Sequence, residues 1–268
     1  MNFKYLALGI LSVPLLPLLY FDAKRVRRKI PQLHEASNTE GFCKSDESSE
    51  IPLKLLTIGE STIAGVGVES HETGFSGTLA KELSEKTSKG VEWKVYAKSG
   101  YSSKDIIEKI LPSIDEKEVD IIVLGMGAND AFTLNTPGQW KKNIIEIITH
   151  LQTKYPQVQI CFTSMPPIKK FPAFSFSMRF VLGNLVENLG EELARTVQSF
   201  ENVSYYDKPI DVEKWCRELG IEPKPELFFS DGVHPSELTY QIWAKDTALE
   251  ISKSSVIYSP RPETHHLP

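Results

Sequence analysis

Residues 55–68 read LLTIGESTIAGVGV. The apolar start of this stretch has the composition of a strand buried on both faces, and Gly59-Glu60-Ser61-Thr62 follows it as a tight turn. A serine just past the end of a parallel strand lies where open α/β sheets place their ligands, which makes Ser61 a candidate nucleophile. A hydroxyl is a weak nucleophile at neutral pH, so it needs a base, a group to orient that base and donors for the oxyanion. Candidates for each lie downstream: Gly100 in AKSG at 97–100, Asn129 in GAND at 127–130, and Asp231 with His234 in SDGVHP at 230–235.

The rest of the chain alternates between the two periodicities. Phe75 to Lys86 places Phe75, Leu79 and Leu83 on one helical face, and VEWKVYA at 91–97 reads as a strand. Ser103 is the expected cap of a helix carrying Ile106, Ile107, Ile110 and Leu111, with Pro112 near its end. VDIIVL at 119–124 is a third strand, and Thr136-Pro137 opens a helix to Lys154 that buries Trp140, Ile144, Ile147, Ile148 and Leu151. Val158 to Ser164 is a fourth strand, followed by an irregular segment rich in Phe and Pro and a helix from about Phe180 to Phe200. Val203 to Tyr206 is a fifth strand, and helices over 212–219 and 236–252 complete the pattern. Strands alternating with helices imply right-handed crossovers, hence a three-layer α/β/α sandwich around a five-stranded parallel sheet in flavodoxin-like order. Phe171, Phe174, Phe176 and Phe180 fit either an acyl pocket or packing beneath a loop, and His71 and His150 are expected on exposed turns or helix faces.

The chain has 268 residues, a hydrophobic fraction of 41%, a charged fraction of 24% and a net charge of −5, the profile of a globular protein without a basic field for nucleic acid. Its three cysteines, Cys43, Cys161 and Cys216, show neither disulfide nor zinc spacing, and Cys161 reads as a small buried hydrophobe. No metal or cofactor is expected; His265 and His266 sit in a proline-containing tail. Residues 5–21, YLALGILSVPLLPLLYF, carry no charge and approach the ~20 residues of a membrane-crossing helix. Lys24, Arg25, Arg27, Arg28 and Lys29 follow directly, with no small-residue cleavage site before them. The expectation is an uncleaved anchor with its basic flank and the folded domain in the cytoplasm; the alternative is a cleaved signal and a periplasmic or secreted domain. The domain plan is an anchor and basic flank over 1–30, a polar tether over 31–50, a catalytic domain over 51–256 and a tail over 257–268.

The four blocks GEST, the glycine at 100, GAND and DGVH resemble, in order, the sequence blocks of the SGNH/GDSL hydrolase family, and together they frame the chain from Leu53 to about Glu250. The resemblance implies Ser61 as nucleophile and first oxyanion donor, Gly100 and Asn129 as further donors, His234 as general base and Asp231 as its orienting group. It also implies a serine ester hydrolase acting on a small-molecule or lipid ester; carbohydrate O-deacetylation and an idle binding module are the alternatives. Each block alone has a structural reading: Ser61 as a helix cap, Asn129-Asp130 as a turn, His234 as a surface loop residue. Glu60 stands where the family's best-known pattern has aspartate.

Overall fold

The computed structural model describes residues 3–45, 51–208 and 210–253; the expected tail and the end of the expected tether lie outside them. Six strands form one sheet: β1 Glu40–Cys43, β2 Leu53–Gly59, β3 Val91–Ala97, β4 Ile121–Gly125, β5 Gln159–Phe162 and β6 Val203–Tyr205. Their order is β1-β3-β2-β4-β5-β6. The pairs from β3 through β6 are all parallel, and β1 alone runs antiparallel, on the outer edge of β3. The five expected strands are present in flavodoxin-like order, and the sixth corrects the expected strand count.

The helices are α1 Phe3–Ser12, α2 Leu16–Lys29, α3 Phe75–Thr87, α4 Ser103–Asp105, α5 Ala128–Phe132, α6 Pro137–Lys154, α7 Phe176–Val197, α8 Val212–Leu219, α9 Pro225–Phe228 and α10 Glu237–Ile251. They cover both faces of the sheet. On β4, Ile121 and Val123 face a core shared with α3 and α10, whereas Ile122 and Leu124 face one shared with α6 and α7. All five residues of β4 are buried, which accounts for its unbroken apolar run. Truncating Leu124 to alanine would cost about 2–5 kcal/mol, since the cavity it leaves is closed in by both neighbouring strands.

Two boundaries differ from expectation for local reasons. Ser102, not Ser103, caps α4, exchanging bonds with Asp105 in a capping box, and the chain continues through a π-turn at Ile106–Ile110 and a 3₁₀ turn at Leu111–Ser113. Helix α7 begins at Phe176, because the Ser175 hydroxyl accepts the Met178 N–H. His71 is 2% exposed, contrary to expectation, with its ring against Gly65.

The segment expected to be a tether is strapped to the domain. Ala36 donates its N–H to Ala64 O, Ser37 exchanges backbone bonds with Glu69 and His71, and β1 then pairs with β3. At the N-terminus, α1 and α2 form a nearly continuous helix through a 3₁₀ turn at Val13–Leu15, where Pro14 removes a donor. This is the one helix among the described residues long and apolar enough to cross a membrane, over Tyr5–Lys29. It packs on α7, where Asp22 accepts hydrogen bonds from Ser175 and Ser177 at 2.6 and 2.5 Å.

Candidate active site

Parallel strands carry their C-terminal ends to one edge of the sheet. The neighbours β3, β2 and β4 therefore bring Gly100, Ser61 and Asn129 to adjacent loops. The strand order reverses between β2 and β4, where ligands bind in open α/β sheets.

Ser61 is half-buried in a turn held by Ala64 N–H to Glu60 O and Val66 N–H to Ser61 O, at 2.8 and 3.0 Å. Gly59 allows the turn to lie against β4, since a side chain there would collide with Gly125 O. The Glu60 carboxyl is fully buried and spans to the next block, accepting the Ala128 N–H at 2.8 Å and the Asn129 N–H at 2.9 Å. Burial pushes this carboxyl up to about 8, opposed by those two N–H donors. The methylene that distinguishes Glu60 from aspartate supplies reach across two strands. The sequence marked Glu60 as a departure without indicating this role.

Asn129 donates its side-chain amide to Tyr101 O at 3.0 Å, joining the GAND block to the Gly100 loop. Gly100 sits at φ +85°, a backbone conformation that strains any other residue, and its N–H finds no acceptor among the described residues. Asp130, read beforehand only as part of a turn, is fully buried and accepts from the Ser103 N–H at 2.8 Å, the Ser103 hydroxyl at 2.6 Å and the Asn135 amide at 2.7 Å. Glu35 accepts the Ser99 N–H at 2.7 Å and the Lys98 ammonium at 2.8 Å, so the strap also fastens the Gly100 loop.

In the last loop, His234 Nδ1 lies 2.7 Å from Asp231 Oδ2. Asp231 Oδ1 accepts the N–H groups of Val233 and His234 at 2.9 and 2.8 Å. Burial of Asp231 opposes its ionisation, but the His234 ring and these N–H bonds outweigh it and hold the carboxyl below its usual range. An ionised partner at Nδ1 fixes the proton there and leaves Nε2 as the acceptor. The loop is held near the serine turn by Ser230, whose hydroxyl donates to Gly67 O at 3.2 Å, and by Tyr240, whose hydroxyl donates to Val66 O at 2.8 Å. Thr62, Val233 and Pro235 line one enclosed cavity of about 30 Å³. No hydrogen bond joins the Ser61 hydroxyl to the His234 ring. The arrangement thus unites Asp231 with His234, and Ser61 with Asn129 and the Gly100 loop, as two fastened halves. No group of three or more His, Cys, Asp or Glu among the described residues is arranged to hold a metal ion.

Fold and loops together define a flavodoxin-like α/β sandwich with its polar groups gathered at the strand ends. The chain belongs to the GDSL-like lipase/acylhydrolase family, whose profile matches residues 57–242, and ester hydrolysis is that family's chemistry. Among solved structures it resembles a protein of Parabacteroides merdae assigned as a GDSL-like lipase (15% identity, 83% of this chain and 99% of that one, TM-score 0.58). It also resembles the lipase Lip_vut3 from a goat rumen metagenome (19% identity, 75% and 97%, TM-score 0.52). A third is a lipolytic protein of the G-D-S-L family from Veillonella parvula (18% identity, 74% and 97%, TM-score 0.50). At these identities the likeness is one of fold. No curated protein matches the sequence.

Proposed function

We propose that the protein is a serine esterase in which Ser61 attacks the ester carbonyl, His234 takes the serine proton at Nε2, and Asp231 holds the imidazole in the required tautomer. The N–H groups of Ser61 and Gly100 and the Asn129 amide hold the oxyanion. One amide hydrogen of Asn129 is committed to Tyr101 O, and an amide has a second to give. Collapse of the tetrahedral intermediate expels the alcohol, which receives the proton from His234. Water then enters, gives a proton to the same nitrogen as its oxygen bonds to the acyl carbon, and the Ser61 oxygen leaves with that proton from His234, releasing the acid.

The single observation carrying this reading is the Asp231–His234 pair at 2.7 Å, with the second oxygen of Asp231 occupied by backbone N–H groups. Such anchoring restricts the ring to one orientation. The Ser61–His234 bond must form as substrate binds, as catalytic hydrogen bonds commonly do. The substrate class is an acyl or aryl ester, with a lysophospholipid or thioester as specific cases. The Tyr5–Lys29 helix acts as an uncleaved anchor that lies against the membrane surface through Ile10, Leu11, Leu18 and Phe21 while its other face packs on α7, and its basic flank supports a cytoplasmic catalytic domain.

Turnover of p-nitrophenyl esters and fluorophosphonate labelling test the chemistry. Ser61→Ala should abolish labelling and lower kcat by about 10⁴-fold or more. Labelling that survives the substitution would reject Ser61. A C-terminal reporter active only outside the cytoplasm would reject the orientation.

A further inference from the structure

A cavity of about 410 Å³ lies between the N-terminal helix and the catalytic domain, within the ~300–1,000 Å³ of small-molecule pockets. Leu19 and Ala23 of α2 form one wall, Phe132 and Leu134 a second, and Phe174 and Met178 a third; Arg27 is the one charged residue lining it. The second wall follows directly from the GAND block: Phe132 ends α5, the helix that contains Asn129. The third adjoins the DGVH block, because Ala173 donates its N–H to Gly232 O at 3.1 Å. Ring contacts run from Phe132 to Phe174, on to Phe171 and then to Phe229, with centroids 5.9, 5.2 and 5.8 Å apart. A continuous line of packed rings therefore joins the pocket wall to Phe229, the residue two before Asp231.

Two features set this pocket apart from a chance gap. Leu134 takes φ +56°, a left-handed conformation that costs a leucine about 1 kcal/mol or more, and it lines the pocket while 45% exposed. The helical wall is also pinned: the Asp22 carboxylate accepts from both Ser175 and Ser177 at the start of α7. A helix serving only as a leash has no need of a polar lock to the domain it carries. On its outer face the same helix exposes Ile10, Leu11, Leu18 and Phe21, so a pocket bounded by it opens beside apolar surface suited to lipid.

We propose that this cavity binds the acyl chain of the ester substrate, so that the membrane segment itself forms one wall of the specificity site. The inference rests on the esterase reading above and adds the substrate class: esters of straight, medium to long acyl chains. Such chains can arrive as monomers in water or from the bilayer beside the helix.

The test uses the full chain in detergent or vesicles with p-nitrophenyl esters from acetate to dodecanoate. kcat/KM should rise about fourfold per methylene until the pocket is full, the equivalent of ~0.8 kcal/mol per buried CH₂. Ala23→Trp, which fills the pocket, should lower the octanoate-to-acetate ratio at least tenfold. Leu18→Trp, on the exposed face of the same helix, should leave that ratio unchanged. Phe132→Ala, which enlarges the cavity, should move the optimum to longer esters. A flat chain-length profile with Ser61-dependent turnover, or an unaltered ratio in Ala23→Trp, would overturn the pocket and leave the esterase reading intact. Binding of a fluorescent fatty acid, lost in Ala23→Trp and kept in Leu18→Trp, supports the pocket even if no ester is hydrolysed. Such a result would place the failure in the catalytic reading. Comparing monomeric octanoate ester with a monoacyl phospholipid in phosphatidylcholine vesicles separates the two sources.

Discussion

Replacing Glu60 by glutamine separates two effects that oppose each other at one buried carboxyl. Burial favours the protonated acid, whereas the N–H groups of Ala128 and Asn129, at 2.8 and 2.9 Å, favour the carboxylate. Burial wins, raising the pKa from 4.5 to about 8. The folded protein therefore holds a proton that the unfolded chain has released between these values. The associated stability is complete below about pH 4.5 and is lost as pH rises through about 8. At about 1.36 kcal/mol per pH unit the loss approaches ~5 kcal/mol, a large part of the stability of an ordinary domain.

Glu60→Gln cannot ionise, so this loss disappears in the variant. Its amide oxygen accepts one of the two N–H groups while its NH₂ confronts the other, a cost of about 1–3 kcal/mol that does not vary with pH. The variant should accordingly lie about 1–3 kcal/mol below the parent at pH 5 and gain on it by several kcal/mol between pH 5 and pH 9. Equilibrium unfolding in urea measures this through tryptophan fluorescence, as Trp93, Trp140, Trp215 and Trp243 are all buried. A stability difference that is flat with pH, or that moves against the variant at high pH, would refute the reasoning. It would mean that the two N–H donors outweigh burial and that Glu60 folds as a carboxylate.

Three further substitutions probe different parts of the site. Asn129→Ala should lower kcat by about 10²–10³-fold, the usual loss for one oxyanion donor, and unchanged turnover at saturating ester would remove Asn129 from that role. Asp130→Asn places an amide against donors from Ser103 and Asn135 and should cost about 3 kcal/mol, read as a fall in the urea midpoint; a neutral result would show that this buried cluster repacks freely. His71, with its Nδ1 buried and unpartnered, has its pKa lowered to about 4 by burial, against the pull of Glu35. The unfolded chain takes up that proton first, so His71 contributes stability above about pH 6.5 that is lost as pH falls through about 4, amounting to ~3 kcal/mol. His71→Leu should flatten stability across that interval, and an acid slope that persists would assign it to other groups.

The parallel sheet was legible because β2, β4 and β5 are buried on both faces and leave a composition that survives in sequence. Helix α6 was legible from Thr136 to Lys154 because its cap and its apolar stripe agree. Strand β1 was not. EGFC has no fully buried residue and pairs on one side only, with β3, and four residues are too few for a period to show. His71 escaped for a related reason: a polar residue in a glycine-rich turn looks exposed until the strap from Ala36 to Ser37 closes over it. Of the candidate site, Ser61, Gly100, Asn129, Asp231 and His234 could be named from local motifs. Contacts between loops far apart in the chain could not.

Those contacts share one device. Each of these segments is fastened by an acidic side chain that accepts backbone N–H groups: Glu35 for the Gly100 loop, Glu60 for the Ala128-Asn129 turn, Asp130 for Ser103 and Asp231 for its own loop. Hydrogen bonds of this kind are directional, so they fix loop positions more tightly than apolar packing, which tolerates sliding. Three of the four bridge separate segments, and Glu60 and Asp130 act from full burial, where an unmet bond is most costly. Only Asp231 lies close enough to its partners in sequence to be read from a motif. The donors on the three strand-end loops are thus set by acids that no local pattern identifies. The reach of the Glu60 side chain to the Asn129 turn, together with its own backbone N–H to Gly125 O, sets the Ser61 and Asn129 turns in a single rigid frame.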